Sequence, residues 1–525
     1  MIKKIQIIFL VIIPVLFLFV GLQFNRTHFG NDPEYAYLLN GINIGMLKPV
    51  GHTDNPGTTV QLYSAVMLRF AYLVQPDKGE GFQKHILRNS DQYIELERKG
   101  LIWINGMVVL VLGVLSWLML RNIWLSLLLQ IMPFTSANLT EHVFTKVSPE
   151  PVLLMASAAM VLLCIHFYLL QQKDERKFAV YFALICGFGL ATKATFLPLV
   201  FIPLLLLADK AMRKHFLVYI LPFFFLFTLP AVPQYPHMAK WFMGLTAHTG
   251  TYGEGSWGVI NPIQYLNDLG AICFSNPVLS VTLLATALIF VISLINSAFR
   301  SEFKNNLIFR MLTAFLVAQA AGVFMVAKHY HANHYLLPEL CLMAANWIFI
   351  FLYLKEKLLL NFRKALNFMP VLLLMITAGL VFLNRNYLHA ANNGYNRSNN
   401  DYDKTMYLLD YEYKGYTRTY FYPTSINPYS ALRWGNVYSR FNHTPELKEL
   451  YPAGYFFNVR THNFSLWETP VAVSTMVDVS GGKLLLVGGP FDESVRKEIE
   501  QSGLNLTPVY QGYTQVIYRV EVKKN

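Results

Sequence analysis

Apolar residues fall in long blocks along most of this chain, and short polar segments rich in Lys and Arg separate them. A helix of about 20 apolar residues crosses a bilayer. Blocks of that kind lie near 4–24, 101–120, 123–138, 150–171, 178–192, 194–209, 215–233, 270–296, 306–327, 334–354 and 366–384. The pattern therefore predicts about eleven membrane-spanning helices, with 178–209 divided at Thr192-Lys193. The first block follows Lys3 and Lys4 and exits through Gly-Leu-Gln-Phe-Asn, a poor cleavage site, so it reads as an uncleaved span.

The loops test this division. With the N-terminus inside, the inner segments hold Lys3/Lys4, Arg121, Lys173/Arg176/Lys177, Lys210/Arg213/Lys214, Arg300/Lys304/Arg310 and Lys355/Lys357/Arg363/Lys364. Every one is basic, as cytoplasmic loops are. Parity then places 25–100, 234–269 and 385–525 outside. In the first outer loop, Gly57–Gln75 is apolar but carries Arg69 and several hydroxyls, which predicts a helix lying at the interface. Phe82–Arg98 is polar, with Phe82, Ile86 and Ile94 at roughly helical spacing, and predicts a second surface helix. The alternative, in which 57–75 spans, would turn every later basic loop outward.

Beyond 384 the composition changes to Tyr, Asn and charge. TYFYPTS, GGKLLLVGG and TQVIYRVEV read as strands, and NPYSALRWGNVYSRF and DESVRKEIEQSG as helices. The expected fold class is an α-helical polytopic membrane protein resembling no solenoid, with 1–384 in the membrane part and 385–525 a small extracytoplasmic α/β domain.

Composition agrees. Hydrophobic residues make up 54% and charged residues 14%, against about 25% charge in soluble proteins. Mean hydropathy is +0.36. The net charge of +12 follows from the inner loops and does not call for nucleic acid. Cys164, Cys186, Cys273 and Cys341 all lie in apolar runs, so no disulfide framework holds the outer domain and no spacing suits zinc.

Polar clusters fall in the outer segments. Asn31-Asp32-Pro33-Glu34-Tyr35 puts two acids where the chain leaves the first span. It is also a good helix start, with Asp as cap, Pro in the first turn and Glu beside the positive helix end. His52-Thr53-Asp54-Asn55-Pro56-Gly57 is a turn that offers a His and a further acid. Thr246 to Gly258, with His248, Tyr252 and four glycines from 250 onward, is a connector or a loop that closes over a substrate. Lys328-His329-Tyr330-His331-Ala332-Asn333-His334-Tyr335 gathers cations on the outer side, either as interfacial anchors or as a site for a lipid phosphate. Lys193 interrupts an apolar region, where a lysine either snorkels or serves function. Glu141, His142 and Lys146 share the second outer loop. Walker A, HExxH and nucleophile-elbow motifs are absent from the sequence.

In order and topology these elements resemble the GT-C superfamily of membrane glycosyltransferases. The chain is most similar to the branch holding protein O-mannosyltransferases and the aminoarabinose transferase of lipid A. Asn31 to Tyr35 matches the acidic motif after the first span, and Glu97-Arg98 leads into the second. Gly189-Leu190-Ala191-Thr192-Lys193 resembles the "G-L-x-x-L-T-K" phrase, and His334-Tyr335-Leu336-Leu337-Pro338 the "R-Y-L-L-P" phrase. Pro33 separates acids that are usually adjacent, and His334 stands where Arg is usual. The resemblance covers about residues 1–385.

The resemblance implies inverting transfer of a sugar from a polyprenyl-phosphate donor to an acceptor hydroxyl of a lipid, glycan or protein. It implies Asp32 as general base. Arg98, Lys193, Lys328, His331 and His334 are the candidates for the lipid phosphate. Glu34, Tyr35, His52, Asp54, His248 and Tyr252 would line the acceptor cavity. Some branches use a divalent metal, which Asp32, Glu34 and Asp54 could hold, although the most similar branch is not built around one. The expected setting is a bacterial inner membrane, with 385–525 in the periplasm helping to bind the acceptor. The competing readings are a polar-lipid transporter or flippase, and a non-catalytic scaffold. Transporters usually show paired repeats and midmembrane charges, and this sequence shows its polar clusters at the outer surface instead.

Overall fold

A computed structural model of the chain describes all residues except 1, 27–28, 30–32, 76–78, 171–173, 251–254, 296–298, 330–331, 358–365, 459–460, 462, 490–495, 498–499, 501–503 and 523–525. The chain divides into two compact units. The first comprises Met1–Gln23, Thr53–Val60 and Lys99–Leu388, and the second Phe24–His52, Gln61–Arg98 and His389–Asn525. The sequence reading draws its boundary at 384/385, close to Leu388/His389, but keeps the whole first outer loop with the membrane part.

Each apolar block folds as helix. Seven described helices are long and apolar enough to cross a membrane, or eight if one bent pair is a single span. Among the blocks that depart from a straight helix, three show proline breaking the pattern. The 123–138 block runs as Ile123–Ile131 and then Met132–Thr135 in tighter 3₁₀ turns around Pro133. It bends by 85° into Ala137–Thr145 through an extended Ser136. The 194–209 block is a 3₁₀ turn, Ala194–Val200, followed by a short helix, Phe201–Leu206. Pro198 and Pro203 remove N–H donors that a regular helix needs. The 270–296 block breaks at Asn276 into Pro262–Ser275 and Pro277–Ile295, because Pro277 disfavours helical backbone before it. Both predicted surface helices form, as Thr58–Val74 and as Phe82–Arg88 running on into Ser90–Leu120.

The first unit packs around Pro149–Leu169 and Leu337–Lys357, whose residues are mostly buried. Some of the polar side chains buried among these helices pair with one another, which offsets the cost of burying them. Asn346 Nδ2 donates to Gln319 Oε1 at 2.8 Å, and Gln319 Nε2 donates to the Glu339 carbonyl at 3.0 Å.

The second unit holds a seven-stranded sheet. Its strands are β1 (Thr417–Tyr422), β2 (Tyr455–Asn458), β3 (Asn463–Leu466), β4 (Thr469–Val471), β5 (Leu484–Gly488), β6 (Leu504–Gln511) and β7 (Val516–Val522). The order is β4-β3-β2-β1-β5-β7-β6. β1 pairs in parallel with β2 and β5, and the other pairings are antiparallel. β5 is buried throughout, as its continuous Leu-Leu-Leu-Val run requires. The predicted strands correspond to β1, β5 and β7, while β2, β3, β4 and β6 are additional. The predicted helix at 427–441 forms as Pro428–Tyr438, capped by Asn427 Oδ1 on the Ser430 N–H at 2.9 Å. The predicted helix at 492–503 falls largely outside the described residues. Pro428–Tyr438 crosses the helix Glu34–Gly45 so closely that a Cβ on Gly435 would lie 2.4 Å from the Tyr35 carbonyl oxygen.

Candidate functional site

The helix Glu175–Thr192 stops at Lys193, whose backbone turns extended (φ −159°, ψ 141°). The Asn55–Gly57 segment is what holds it there. Pro56 and Lys193 form an antiparallel bridge, Ala194 N–H donates to the Asn55 carbonyl at 2.8 Å, and Gly57 N–H donates to the Thr192 carbonyl at 3.2 Å. Thr59 adds a hydroxyl contact with Thr192 at 2.8 Å. The lysine side chain is thereby fixed at the end of a helix and buried rather than snorkelling.

Lys193 Nζ donates to Glu150 Oε1, with both side chains almost wholly enclosed. Its ammonium also lies 4.1 Å from the centre of the Tyr335 ring, a favourable cation–π arrangement. Glu150 sits in the first turn of Pro149–Leu169, where the helix end favours negative charge. Two imidazoles flank the carboxylate. His142 Nε2 is 3.3 Å from Oε2, and His334 Nε2 is 3.9 Å from Oε1. The two rings stack with centres 4.0 Å apart and planes 13° apart. His142 comes from Ala137–Thr145 and His334 from the 3₁₀ turn Asn333–Leu336. Among the described residues, His142, Glu150 and His334 form a group that could hold a metal ion.

Next to this cluster is a cavity of about 270 Å³, with walls including Leu197, Trp241, Phe242, Leu245, Met325 and Val326. Lys193, Asn55, Lys328, His329 and Tyr335 also line it. Lys328 Nζ donates to the Leu245 and Thr246 carbonyls at 2.5 and 2.7 Å, at the C-terminal end of Tyr235–Ala247, where a cation complements the helix dipole. His329 Nε2 lies 2.9 Å from the same Leu245 carbonyl. Burial pushes the Lys328 ammonium and the His329 imidazole below their ordinary ranges.

Of the sequence-predicted residues, Lys193, His334, Lys328 and the Asp54-Asn55-Pro56 turn all belong to the first unit. Asp54 Oδ1 lies 3.6 Å from His237 Nε2. His248 accepts no place in the cavity lining. It forms an isolated antiparallel bridge with Trp257, and its Nδ1 is 3.1 Å from the Gly255 carbonyl. Asp32, Tyr252 and His331 lie outside the described residues.

The remaining candidates belong to the second unit. Arg98 Nε and Nη2 donate to Glu34 Oε1 and Oε2 at 2.7 and 2.5 Å, a buried two-point clamp. Tyr35 is completely buried in the core of that unit, and burial raises its phenol. His52 packs edge-on between Tyr37 and Tyr438, with ring centres 5.4 and 4.9 Å away. Glu150 has no counterpart among the sequence candidates. The phrase Val147-Ser148-Pro149-Glu150-Pro151 repeats the acid-at-a-helix-start pattern of Asp32-Pro33-Glu34, and that repetition was the available signal.

No family model matches the chain, and no curated protein does. Among solved structures, the chain is similar to the crystal structure of ArnT from Cupriavidus metallidurans bound to undecaprenyl phosphate. Identity is 12% over 98% of this chain and 97% of that one, with a TM-score of 0.47.

Proposed function

We propose that the protein is a membrane glycosyltransferase that moves a sugar from a polyprenyl-phosphate donor to an acceptor hydroxyl at the outer face of a bacterial inner membrane. The observation that carries this reading is Lys193, a buried ammonium fixed at the wall of an apolar cavity. A lysine has three donors. One is taken by Glu150, which holds the head group in place and leaves the others for phosphate oxygens. The apolar walls suit the first units of a polyprenyl chain, and Lys328 adds a second positive charge at the same cavity.

The acceptor hydroxyl gives its proton to the Asp32 carboxylate as its oxygen bonds to the anomeric carbon. The bond from that carbon to the phosphate oxygen breaks, and the lipid phosphate leaves with the electron pair. Attack opposite the leaving group inverts the centre. Lys193 stabilises the charge that grows on the phosphate, and such preorganised donors are worth most where water is excluded. Asp32 enters on the sequence motif. Asp54 and His237 stand on the acceptor side, whereas Glu34 and Arg98 satisfy each other and take a structural role in this reading. The second unit, with its sheet, contributes acceptor binding.

The test is mass spectrometry of envelope glycans and polyprenyl-phosphate sugars in wild type, a deletion strain, and Asp32→Asn and Lys193→Met strains at matched protein levels. Loss of one modification together with accumulation of its lipid-linked donor supports the reading and identifies the sugar. A deletion phenotype with wild-type behaviour in both variants overturns the catalytic assignment.

A further inference from the structure

We propose that His142, Glu150 and His334 form a site for a divalent transition-metal ion of the zinc class. Three features of the cluster argue for it. The first is spacing. Zinc held at about 2.0–2.1 Å by tetrahedrally disposed nitrogen and oxygen ligands places those ligands about 3.3 Å apart. His142 Nε2 and Glu150 Oε2 already stand at 3.3 Å, and all three ligand atoms lie within 4.8 Å of one another. Small side-chain adjustments bring the third atom in.

The second feature is ring orientation. Asn138 Oδ1 accepts the His334 backbone N–H at 3.2 Å and faces His334 Nδ1 at 3.4 Å. That placement suits a ring whose Nδ1 faces an oxygen acceptor and whose Nε2 is turned toward Glu150. A histidine whose far nitrogen is held by an oxygen acceptor is the usual support for a metal ligand.

The third feature is the stack. The two rings stack with centres 4.0 Å apart, which turns both Nε2 atoms toward the same carboxylate. Imidazole nitrogens are ligands that zinc favours. Lys193 and His334 face Oε1 of Glu150, and His142 faces Oε2. The ion and Lys193 together exceed the charge of one carboxylate. An anion in the open fourth position offsets that excess, and a phosphate oxygen has the right chemistry. The site rests on these residues alone and stands whether or not the transfer reaction does.

The experiment uses full-length protein without a histidine tag, in detergent, stripped with EDTA and then given Zn²⁺ alone or Co²⁺ alone. Bound zinc is measured by elemental analysis after gel filtration, and cobalt by its visible absorption. Equimolar zinc is expected in wild type, together with a low-symmetry cobalt spectrum. His142→Gln and His334→Arg should each lose both signals while eluting as wild type. Asn138→Ala, which removes no ligand, should weaken binding by about 10- to 100-fold. Background zinc in wild type, or undiminished zinc in the His142→Gln/His334→Arg double variant, overturns the site. Metal content is read without any activity measurement, so this outcome is separate from that of the glycan analysis.

Discussion

Arg98 clamps Glu34 through two hydrogen bonds of 2.7 and 2.5 Å, and the carboxylate is wholly buried. Sixty-four positions separate the two residues, so the pair ties the start of the first outer segment to its end within the second unit. Breaking one side strands a charge in an apolar setting, at a cost of about 3–5 kcal/mol. Glu34→Ala and Arg98→Ala should therefore each lower the unfolding temperature substantially. Replacing both with apolar residues of similar size should cost much less than the sum of the two single changes. Thermal unfolding of the four proteins checks this. Additive losses would show that the residues do not act as a pair.

Lys193 should behave differently, because the proposed reading gives it a role in the reaction beyond its role in packing. Lys193→Met removes the charge at the cavity wall and should lower transfer by about 100- to 1,000-fold. Lys193→Arg keeps a cation but spreads it over a planar fork, so it should restore part of the rate. Glu150→Gln leaves the volume unchanged and loosens the ammonium. Its main effect should fall on the KM for the lipid donor. Steady-state kinetics on protein of equal monodispersity checks all three. Equal rates in Lys193→Met and wild type would confine Lys193 to packing.

The residues that were legible in the sequence share one property, which is that they interrupt a pattern. Lys193 and His334 stand out because charge or imidazole breaks an apolar run, and the structure brings both to Glu150. Glu150 escaped notice because an acid after Ser-Pro at the head of an apolar block reads as a helix start, and it is one. Nothing local shows that Arg98 meets Glu34, or that His52 lies between Tyr37 and Tyr438, since those partners are brought together only by folding. The spans were legible as blocks, but the breaks at Pro198, Pro203 and Pro277 needed proline to be given more weight than hydropathy. β2, β3 and β4 have three or four residues each, too few for alternation to register.

Gly435 marks a second junction that composition hides. A Cβ there would sit 2.4 Å from the Tyr35 carbonyl oxygen and 2.9 Å from its carbon. Backbone atoms of a buried helix cannot move aside cheaply, so Gly435→Ala should destabilise the second unit by about 1–3 kcal/mol. Glycines with open space offer the control. Gly394 has no atom within 4 Å of its would-be Cβ. Gly394→Ala lies within a helix and should be neutral or slightly stabilising. Limited proteolysis and thermal unfolding of the two variants check the contrast.

His443 gives the second unit a defined response to acid. Its Nε2 donates to the Leu39 carbonyl at 3.0 Å, and its Nδ1 accepts from Gln83 Nε2 at 3.0 Å, so the neutral ring is fully satisfied. Burial lowers its pKa from the ordinary 6.5 to about 4, outweighing the Leu39 carbonyl, which favours the protonated form. In the unfolded chain the ring takes a proton near pH 6.5, whereas in the folded chain it does so only near pH 4. Between those values the unfolded state binds more protons, so stability falls as pH drops through that window and levels off below it. A depression of this size corresponds to about 3 kcal/mol. His443→Gln can keep a donor and an acceptor but cannot titrate. Its stability should therefore fall less than that of wild type between pH 7 and about 4, where the imidazole ceases to differ between states. Thermal unfolding of both proteins across that range measures the difference directly, and parallel curves would place the acid sensitivity elsewhere.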